Sequence, residues 1–287
     1  MHLATLRVRG ADPILGTPRL DGGAQSRVSA PESRGPPPGA ATPRAVRAVS
    51  FDAAGTLFHP VRPVGELYAT VAARHGVAID AAALHARFGD AFRAAPPLAF
   101  PGVPTAELRG YEKSWWRDVV LRVFVGARFA DFDVFFNDLF AFFASASTWR
   151  VDPDAPPLLA ELRARGLATL VVSNFDARVR GILAALHLAP LIDRVTISSE
   201  AGAAKPDPAI FQRALADLGV APGDVLHVGD TVREDLHGAR AAGLQVVLVG
   251  DDALAAEAPD AVVVPRLAAI TDHLTTPLRG DHLTTPR

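Results

Sequence analysis

The sequence contains no cysteine, which excludes disulfide bonds, thiolate metal sites and cysteine nucleophiles. It also lacks any apolar run near the roughly 18 residues that a membrane span needs, and its first residues lack the apolar segment of a secretory signal. The net charge is only −2 and the basic residues are scattered, which argues against nucleic acid or an anionic membrane as partner. We therefore expect a cytoplasmic enzyme that acts on a small molecule.

Lysine is rare in this sequence. Only Lys113 and Lys205 stand among the 29 basic residues, so the remaining 27 are arginine. A compact ammonium and a planar guanidinium do different chemical work, so a lysine retained in an arginine-rich chain marks a position to inspect.

The two ends of the chain differ in composition from its middle. Residues 1–45 are rich in Pro, Gly, Ser and Arg and have no periodic apolar face, which predicts a disordered leader. Near the other end the six residues Asp-His-Leu-Thr-Thr-Pro occur twice. We expect residues 266–287 to form a C-terminal helix and a frayed tail.

Between these ends, short apolar strands alternate with amphipathic helical patterns, which is typical of a parallel sheet with crossover helices. The pattern predicts strands at 45–51, 168–172, 194–198, 224–228, 244–249 and 261–264. It predicts helices at 155–165, 177–188, 207–218 and 233–242. The expected fold is therefore α/β, with a doubly wound, Rossmann-like parallel sheet over residues 46–61 and 149–265.

About 90 residues separate the first two predicted core strands, far more than one crossover requires. Their patterns are helical, at 64–75, 81–94, 106–125 and 129–143. We therefore predict an inserted all-helical cap domain over residues 62–148. Its phenylalanine-rich last segment is expected to be packed core, and the Trp115–Trp116 pair is expected to be cap core, with substrate contact as the alternative.

Polar residues follow several of the predicted core strands. Ligands of open α/β sheets bind beyond the carboxyl ends of the strands, so these residues are candidates for one site. They are Asp52, Ala54 and Thr56 after the first strand, Ser173 and Asn174 after the second, Lys205 before a helix, and Asp230 and Asp235 after the fourth.

In this order the motifs resemble the haloacid dehalogenase-like hydrolase superfamily, over about residues 46–265. Residues 64–69, Val-Gly-Glu-Leu-Tyr-Ala, and the tryptophan pair are similar to its rhythmically expressed branch. The resemblance implies that Asp52 is the nucleophile and that Thr56 and Ser173 bind the transferring group. It implies that Lys205 neutralises that group. Asn174 is the alternative to Ser173 as the contacting residue.

The resemblance also implies a Mg²⁺ site. Its ligands would be Asp52, the backbone carbonyl of Ala54 and Asp230, with Asp235 in an outer or water-mediated place. Mg²⁺ prefers octahedral oxygen coordination and keeps several waters, so three protein ligands suffice. A carboxylate attacks phosphorus competently when the phosphoryl charge is neutralised.

Ala54 departs from the phosphatase pattern of the superfamily. Phosphatases carry an aspartate at that position, as general acid for the leaving alcohol and then as base for water. General acid–base catalysis is worth about 10² to 10⁴ in rate. We therefore expect slow turnover of esters with poor leaving groups, unless another acid substitutes or the protein does other chemistry.

Two other reactions of the superfamily run without that aspartate. Haloacid dehalogenases resemble the present Asp-Ala-Ala-Gly-Thr-Leu-Phe, but they lack the Gly-Asp acidic motif and need no metal. Phosphonoacetaldehyde hydrolases use a cap lysine as a Schiff base, for which Lys113 would be the candidate. The retained Asp230 and Asp235 favour metal-assisted phosphoryl hydrolysis. A catalytically quiet protein that binds a phosphorylated ligand or another protein is the alternative of a different class.

Three more residues are candidates for substrate binding: His59, Lys113 and Arg117. His59 could substitute for the missing acid, because an unperturbed histidine titrates near pH 6.5. Lys113 is more simply a side chain that packs its stem on the cap and keeps its charge in water. His227 lies inside a buried strand pattern and is expected to be a core residue.

Overall fold

The computed structural model describes residues 45–216 and 218–274. The predicted leader, except for its last residue, and residues 275–287 of the predicted tail therefore lie outside the described residues. None of the helices within the described ranges combines the length and the apolarity that crossing a bilayer requires.

The described residues alternate between strands and helices. The strands are β1 (Ala48–Phe51), β2 (Phe58–Pro60), β3 (Trp149–Val151), β4 (Ala168–Ser173), β5 (Arg194–Ile197), β6 (Val225–Gly229), β7 (Gln245–Val249) and β8 (Val262–Val264). The α-helices are α1 (Val64–Arg74), α2 (Ala81–Ala94), α3 (Thr105–Val123), α4 (Phe132–Phe142), α5 (Ala155–Ala164), α6 (Arg178–Ala185), α7 (Ser198–Ala201), α8 (Pro208–Leu215), α9 (Gly238–Ala241) and α10 (Asp252–Glu257).

Six of the strands form one parallel sheet in the order β5-β4-β1-β6-β7-β8. The central strands β1, β4 and β6 are almost entirely buried, because helices cover both faces of a parallel sheet. This confirms the predicted doubly wound α/β fold. Since all six strands run the same way, their carboxyl ends lie at one edge, and the polar residues that follow β1, β4 and β6 meet there.

Strands β2 and β3 form a two-stranded antiparallel sheet that was not predicted. Phe58 pairs with Val151 and Pro60 pairs with Trp149. Each strand has three residues, too few for a periodic signal, and the whole cap separates them in sequence. This flap, residues 58–60 and 149–151, forms the two connections between the sheet and the cap.

Two helix predictions need correction. The predicted helix at 233–242 is a π-helical turn over Val232–His237 followed by the short α9. The turn is wide because the amide of Leu236 donates to the carbonyl of Thr231, five residues back, and it points Asp235 back towards the sheet edge. The described part of the predicted C-terminal helix is a 3₁₀ turn, Leu267–His273, in which the Thr271 hydroxyl donates to the Ala268 carbonyl.

The cap consists of α1 to α4, and aromatic rings fill its interior. In the phenylalanine-rich segment, Phe135 and Phe136 are buried, and the Phe135 ring stacks on Phe129 with centroids 4.0 Å apart. Trp115 is also buried in the cap and donates its indole N–H to the Pro96 carbonyl. The segment is therefore packed core, as expected.

Trp116, by contrast, contacts the sheet domain. Its indole N–H donates to Asp176 Oδ2 at 2.6 Å, in the segment between β4 and α6. Asp176 is fully buried and also binds the guanidinium of Arg178, at 2.6 Å from Oδ2. Arg178 reaches the cap in turn: it donates to the Phe140 carbonyl and lies 3.8 Å from the centre of the Phe140 ring. An ion pair of the sheet domain thus docks two cap helices.

Glu112 on α3 makes a second connection between the cap and the sheet domain. Its Oε1 accepts hydrogen bonds from the Ser199 hydroxyl at 2.6 Å and from the Ala177 amide at 3.1 Å. The side chain is buried, and burial raises its pKa above the usual range. The interface between the cap and the sheet domain therefore includes hydrogen bonds from Glu112 and Trp116, which lie four residues apart on one face of α3.

Asp176→Ala should lower the free energy of unfolding by about 3 to 5 kcal/mol, because it leaves the largely buried guanidinium of Arg178 without its carboxylate partner. Urea denaturation measures this loss. Asp90→Ala is the matched control, since Asp90 pairs with Arg93 on the exposed surface of α2. It should cost less than about 1 kcal/mol. Equal losses in the two variants would contradict the structural role given to Asp176.

Candidate active site

Lys205 lies at the centre of the candidate site, in the loop before α8. Its ammonium donates to Asp52 Oδ1 and to Asp235 Oδ1, each at 2.6 Å. Lys205 is only 5% exposed and Asp52 is 8% exposed. Burial alone would lower the pKa of Lys205, but the two carboxylates outweigh it and raise that pKa above its usual value. The lysine is therefore a fixed positive charge beside Asp52.

Ser173, the last residue of β4, and Asn174, the residue after it, have different roles. Asn174 binds the backbone of Lys205 at both ends of its amide: Nδ2 donates to the carbonyl at 2.8 Å, and Oδ1 accepts from the amide at 2.7 Å. The Ser173 hydroxyl, by contrast, has no hydrogen-bond partner among the described residues. The geometry therefore gives Asn174 the task of placing Lys205 and leaves the Ser173 hydroxyl available to a ligand.

Asp235 is saturated with hydrogen bonds. Its Oδ1 accepts from Lys205 and from His227, and its Oδ2 accepts from the amides of Asp230 and Thr231 and from the Thr231 hydroxyl. Burial would raise its pKa, but the charge of Lys205 and the bond from His227 lower it well below the usual range. Asp235 is thus an ionised carboxylate without a spare oxygen, which agrees with an outer place rather than direct contact with a metal.

Asp230 lies close to the loop that follows β1. Its Oδ1 accepts from the Thr56 hydroxyl at 3.2 Å. Gly55 has φ +107°, and a Cβ there would come within 2.4 Å of Asp230 Oδ2, so only glycine fits. Burial raises the pKa of Asp230 to about 7, and the charges of Asp52 and Asp235 add to the shift.

The site carries more negative than positive charge. Three carboxyl groups, of Asp52, Asp230 and Asp235, face the one ammonium of Lys205. Bound cations relieve this kind of imbalance and reverse the local pKa shifts. The described residues contain no group of three or more His, Asp or Glu side chains arranged as metal ligands. The fitting donors are two carboxylates, of Asp52 and Asp230, and the backbone carbonyl of Ala54, which are the hard oxygen ligands that suit Mg²⁺.

The three candidate substrate-binding residues make no hydrogen bond to the strand-end residues. His59, on β2, has its Nε2 3.2 Å from Oδ2 of Asp152, the residue that follows β3. Lys113 is exposed on α3. Arg117 donates twice to Asp133 Oδ1, at 2.7 and 2.9 Å. Their substrate-binding roles thus stay predictions.

His227 and Ser50 were missed as site residues. Both are fully buried, and His227 lies between Ser50 and Asp235. The available signal was periodicity: Ser50 precedes Asp52 by two positions on β1, which places their side chains on the same face of the sheet. A histidine within an otherwise apolar strand was the second signal.

Comparison with known proteins identifies the family of the chain. Residues 46–243 match the haloacid dehalogenase-like hydrolase family. The chain belongs to this family. Human haloacid dehalogenase-like hydrolase domain-containing protein 3 is 38% identical over 231 residues, which cover 78% of this chain and 91% of that protein. The resemblance to the superfamily is therefore confirmed, and the chain is a hydrolase of this family.

Two further similar proteins catalyse different reactions according to their names. A phosphoserine phosphatase from Thermus thermophilus is 41% identical over 122 residues, 42% of this chain and 49% of that protein. The solved structure of L-2-haloacid dehalogenase from Xanthobacter autotrophicus is 26% identical, with a TM-score of 0.54 over 77% of this chain and 85% of that one. Both reaction types are thus represented among the similar proteins.

Asp230→Asn should stabilise the protein in metal-free buffer at pH 8 by about 1 to 4 kcal/mol, because one pKa unit corresponds to about 1.4 kcal/mol. The folded-state pKa of about 7 lies above the ordinary value of 3.8, so wild-type stability falls as the pH rises from about 4 to 7. The advantage of the variant should grow over that window. Urea denaturation at several pH values measures it.

The exposed Asp118 on α3 supplies the control for this experiment. Asp118→Asn removes an exposed carboxyl group outside the site and should change the free energy of unfolding by less than about 0.5 kcal/mol. An Asp230→Asn variant that loses stability relative to the wild type between pH 4 and 8 would contradict the electrostatic interpretation of the site.

Proposed function

We propose that this protein is a Mg²⁺-dependent phosphoryl hydrolase that acts through Asp52 on a small phosphorylated metabolite. The observation that carries the proposal is the group of Asp52, Lys205 and Asp235, all buried, and the neighbouring Asp230 at the carboxyl edge of the sheet. It unites a nucleophilic carboxylate, a fixed ammonium and two further carboxyl groups that suit a cation. Halide displacement would have no use for that acidic pair.

Asp52 and the carbonyl of Ala54 would hold Mg²⁺ together with Asp230. When bound, the ion neutralises charge on the phosphoryl oxygens and lowers the cost of bringing an anion to a carboxylate. Lys205 adds a second positive charge at Asp52 Oδ1. The hydroxyls of Ser173 and Thr56 can donate to phosphoryl oxygens.

The covalent step follows from the chemistry of Asp52. One of its carboxylate oxygens forms a bond to phosphorus, and the bond from phosphorus to the leaving oxygen breaks with its electron pair going to that oxygen. Water then hydrolyses the aspartyl phosphate to inorganic phosphate and restores the carboxylate. In both steps the fixed ammonium of Lys205 lies beside the reacting carboxylate and stabilises negative charge in the transition state.

Ala54 leaves this reaction without the usual proton donor. Its methyl group has no ionisable proton, and the candidate substitute acid His59 is hydrogen-bonded to Asp152. An aryl oxide leaves without a proton, whereas an alkoxide is a poor leaving group until it is protonated. The proposed enzyme should therefore prefer substrates with acidic leaving groups.

Asp52→Asn should reduce Mg²⁺-dependent hydrolysis of an aryl phosphate by about 10⁴-fold or more, because it removes the nucleophile. Steady-state phosphate release measures the loss, and folding of the variant is checked by circular dichroism. Asp118→Asn, on the exposed side of α3, is the control and should keep wild-type activity. Undiminished turnover by Asp52→Asn would remove the nucleophile assignment.

Ala54→Asp should accelerate hydrolysis of alkyl phosphates by up to about 10² to 10⁴, because it supplies the missing acid. It should leave aryl phosphates little changed. Rates for a series of esters with graded leaving-group acidity test this, in the natural sequence and in the variant. Equal rates for alkyl and aryl esters in the natural sequence would show that a substitute acid exists, and His59 would be the first to examine.

Halide displacement from a 2-haloacid is the second candidate reaction. The residues Asp-Ala-Ala-Gly-Thr at 52–56 and the similarity to a haloacid dehalogenase structure favour it. A panel of phosphate esters and 2-haloacids, with and without Mg²⁺, separates the two. Halide release without metal would support dehalogenation, and silence towards every substrate would support a binding protein.

A further inference from the structure

We propose that Ser50 and His227 are positioning residues of the hydrolytic site. They fix Asp235, and Asp235 in turn fixes the ammonium of Lys205 beside Asp52. The proposal rests on the proposed function where it concerns rate, but its geometric part concerns only these five side chains.

The two residues form a buried pair under the site. Ser50 on β1 and His227 on β6 are opposite each other in the parallel register. Ser50 Oγ and His227 Nδ1 are 2.9 Å apart, and both residues are fully buried. Because Ser50 precedes Asp52 by two positions, the pair lies one pleat below the nucleophile on the same face of the sheet.

The hydrogen bonds select one tautomer of His227. Asp235 is ionised and can only accept, so His227 Nε2 carries the proton and donates to Asp235 Oδ1 at 3.1 Å. Nδ1 then has a lone pair and accepts the hydroxyl proton of Ser50. Burial lowers the pKa of His227, which keeps the imidazole neutral. Both ring nitrogens are therefore paired. Ser50 donates to Nδ1, and Nε2 donates to Asp235.

The surroundings fix the ring in this orientation. Phe211 on α8 packs edge-on against it, with centroids 4.9 Å apart, and offers no competing hydrogen bond. The charged groups that face the imidazole are Asp235, Lys205 and Asp52. The ring therefore has one oxygen to donate to, and that oxygen is also bound by Lys205.

Loss of the imidazole N–H should displace the ammonium of Lys205. Asp235 Oδ2 is fastened to the loop by three bonds, from the amides of Asp230 and Thr231 and from the Thr231 hydroxyl. Its Oδ1 is bound by His227 and Lys205 alone. Without His227, the carboxylate can turn about its anchored oxygen and carry the ammonium of Lys205 with it. In a buried site such a displacement weakens both the ion pair and the alignment for reaction.

Two substitutions at His227 test this geometry. His227→Phe keeps a ring but removes the donor, and His227→Gln keeps a side-chain N–H that can reach Asp235. We expect His227→Phe to lower kcat by about 10- to 100-fold with little change in KM, as is found for residues that orient metal-site ligands. His227→Gln should recover part of kcat. Ser50→Ala, which releases Nδ1, should give a smaller loss of the same kind.

The scarcity of lysine supplies a readout that does not depend on activity. In a protein labelled with ¹⁵N at the lysine side chains, the signals come from Lys113 and Lys205 alone. Lys113 is exposed and its ammonium protons exchange rapidly with water, whereas those of the buried Lys205 are protected. His227→Phe should shift this protected signal or speed its exchange, and His227→Gln should restore it. An unchanged Lys205 signal in His227→Phe would overturn the proposal.

Thr169→Val is the matched control. Thr169 is a fully buried hydroxyl residue on the neighbouring strand β4, and it donates to the Leu191 carbonyl at 2.8 Å, away from the site. The variant should lose stability and keep both kcat and the lysine spectrum. If Thr169→Val changes kcat and the lysine spectrum as the His227 variants do, His227 has only a structural role and the proposal fails.

The remaining outcomes are also decisive. If His227→Phe does not fold, the lysine spectrum of Ser50→Ala decides, because a shifted Lys205 signal supports the proposal and an unchanged one overturns it. If the wild-type protein hydrolyses no substrate, the proposed function fails, and the same spectra still decide whether His227 positions Lys205.

Discussion

The buried ammonium of Lys205, between the carboxylates of Asp52 and Asp235, is the interaction on which the site depends. Removing an ammonium from water costs several kcal/mol, and only close, well-oriented carboxylates offset that cost. Both distances are 2.6 Å. Neighbouring residues hold Lys205 and Asp235 in place. Asn174 binds the backbone of Lys205, and His227 orients Asp235. Without the lysine, these buried carboxylates would have no positive counter-charge.

One ammonium does not balance three carboxyl groups, and Asp230 bears the difference. Its raised pKa records a free-energy cost of folding at neutral pH. Gly55 has a positive φ and lets the loop approach Asp230 closely, where any other residue would collide. This close approach helps to bury the Asp230 carboxyl and so adds to the cost. Stability alone would favour a neutral side chain at position 230. A divalent cation, as the proposed function requires, would balance this excess of negative charge.

The parallel sheet and its strand-end residues were predictable because β1, β4 and β6 are mainly apolar, with a polar residue at the strand end, Ser173, or directly after it, Asp52 and Asp230. The features that could not be predicted depend on contacts between residues that are far apart in sequence. The flap strands are three residues long and lie on either side of the cap. The π-helical turn has the same apolar pattern as an α-helix, and its width is visible only in the Leu236 to Thr231 bond. His227 is buried as expected, but its partners Ser50 and Asp235 are joined to it only by the fold.

Trp115 and Trp116 show why the cap interface could not be predicted from composition. Adjacent residues on a helix are about 100° apart, so one indole enters the cap interior and the other reaches Asp176. Asp176 follows Ser173 by three residues and Asn174 by two. The segment between β4 and α6 is therefore fastened on one side to the cap and on the other to Lys205. A displacement of α3 that breaks the Trp116 bond acts on the same short stretch of backbone that carries the Ser173 hydroxyl, so cap docking and the geometry of the site share one structural element.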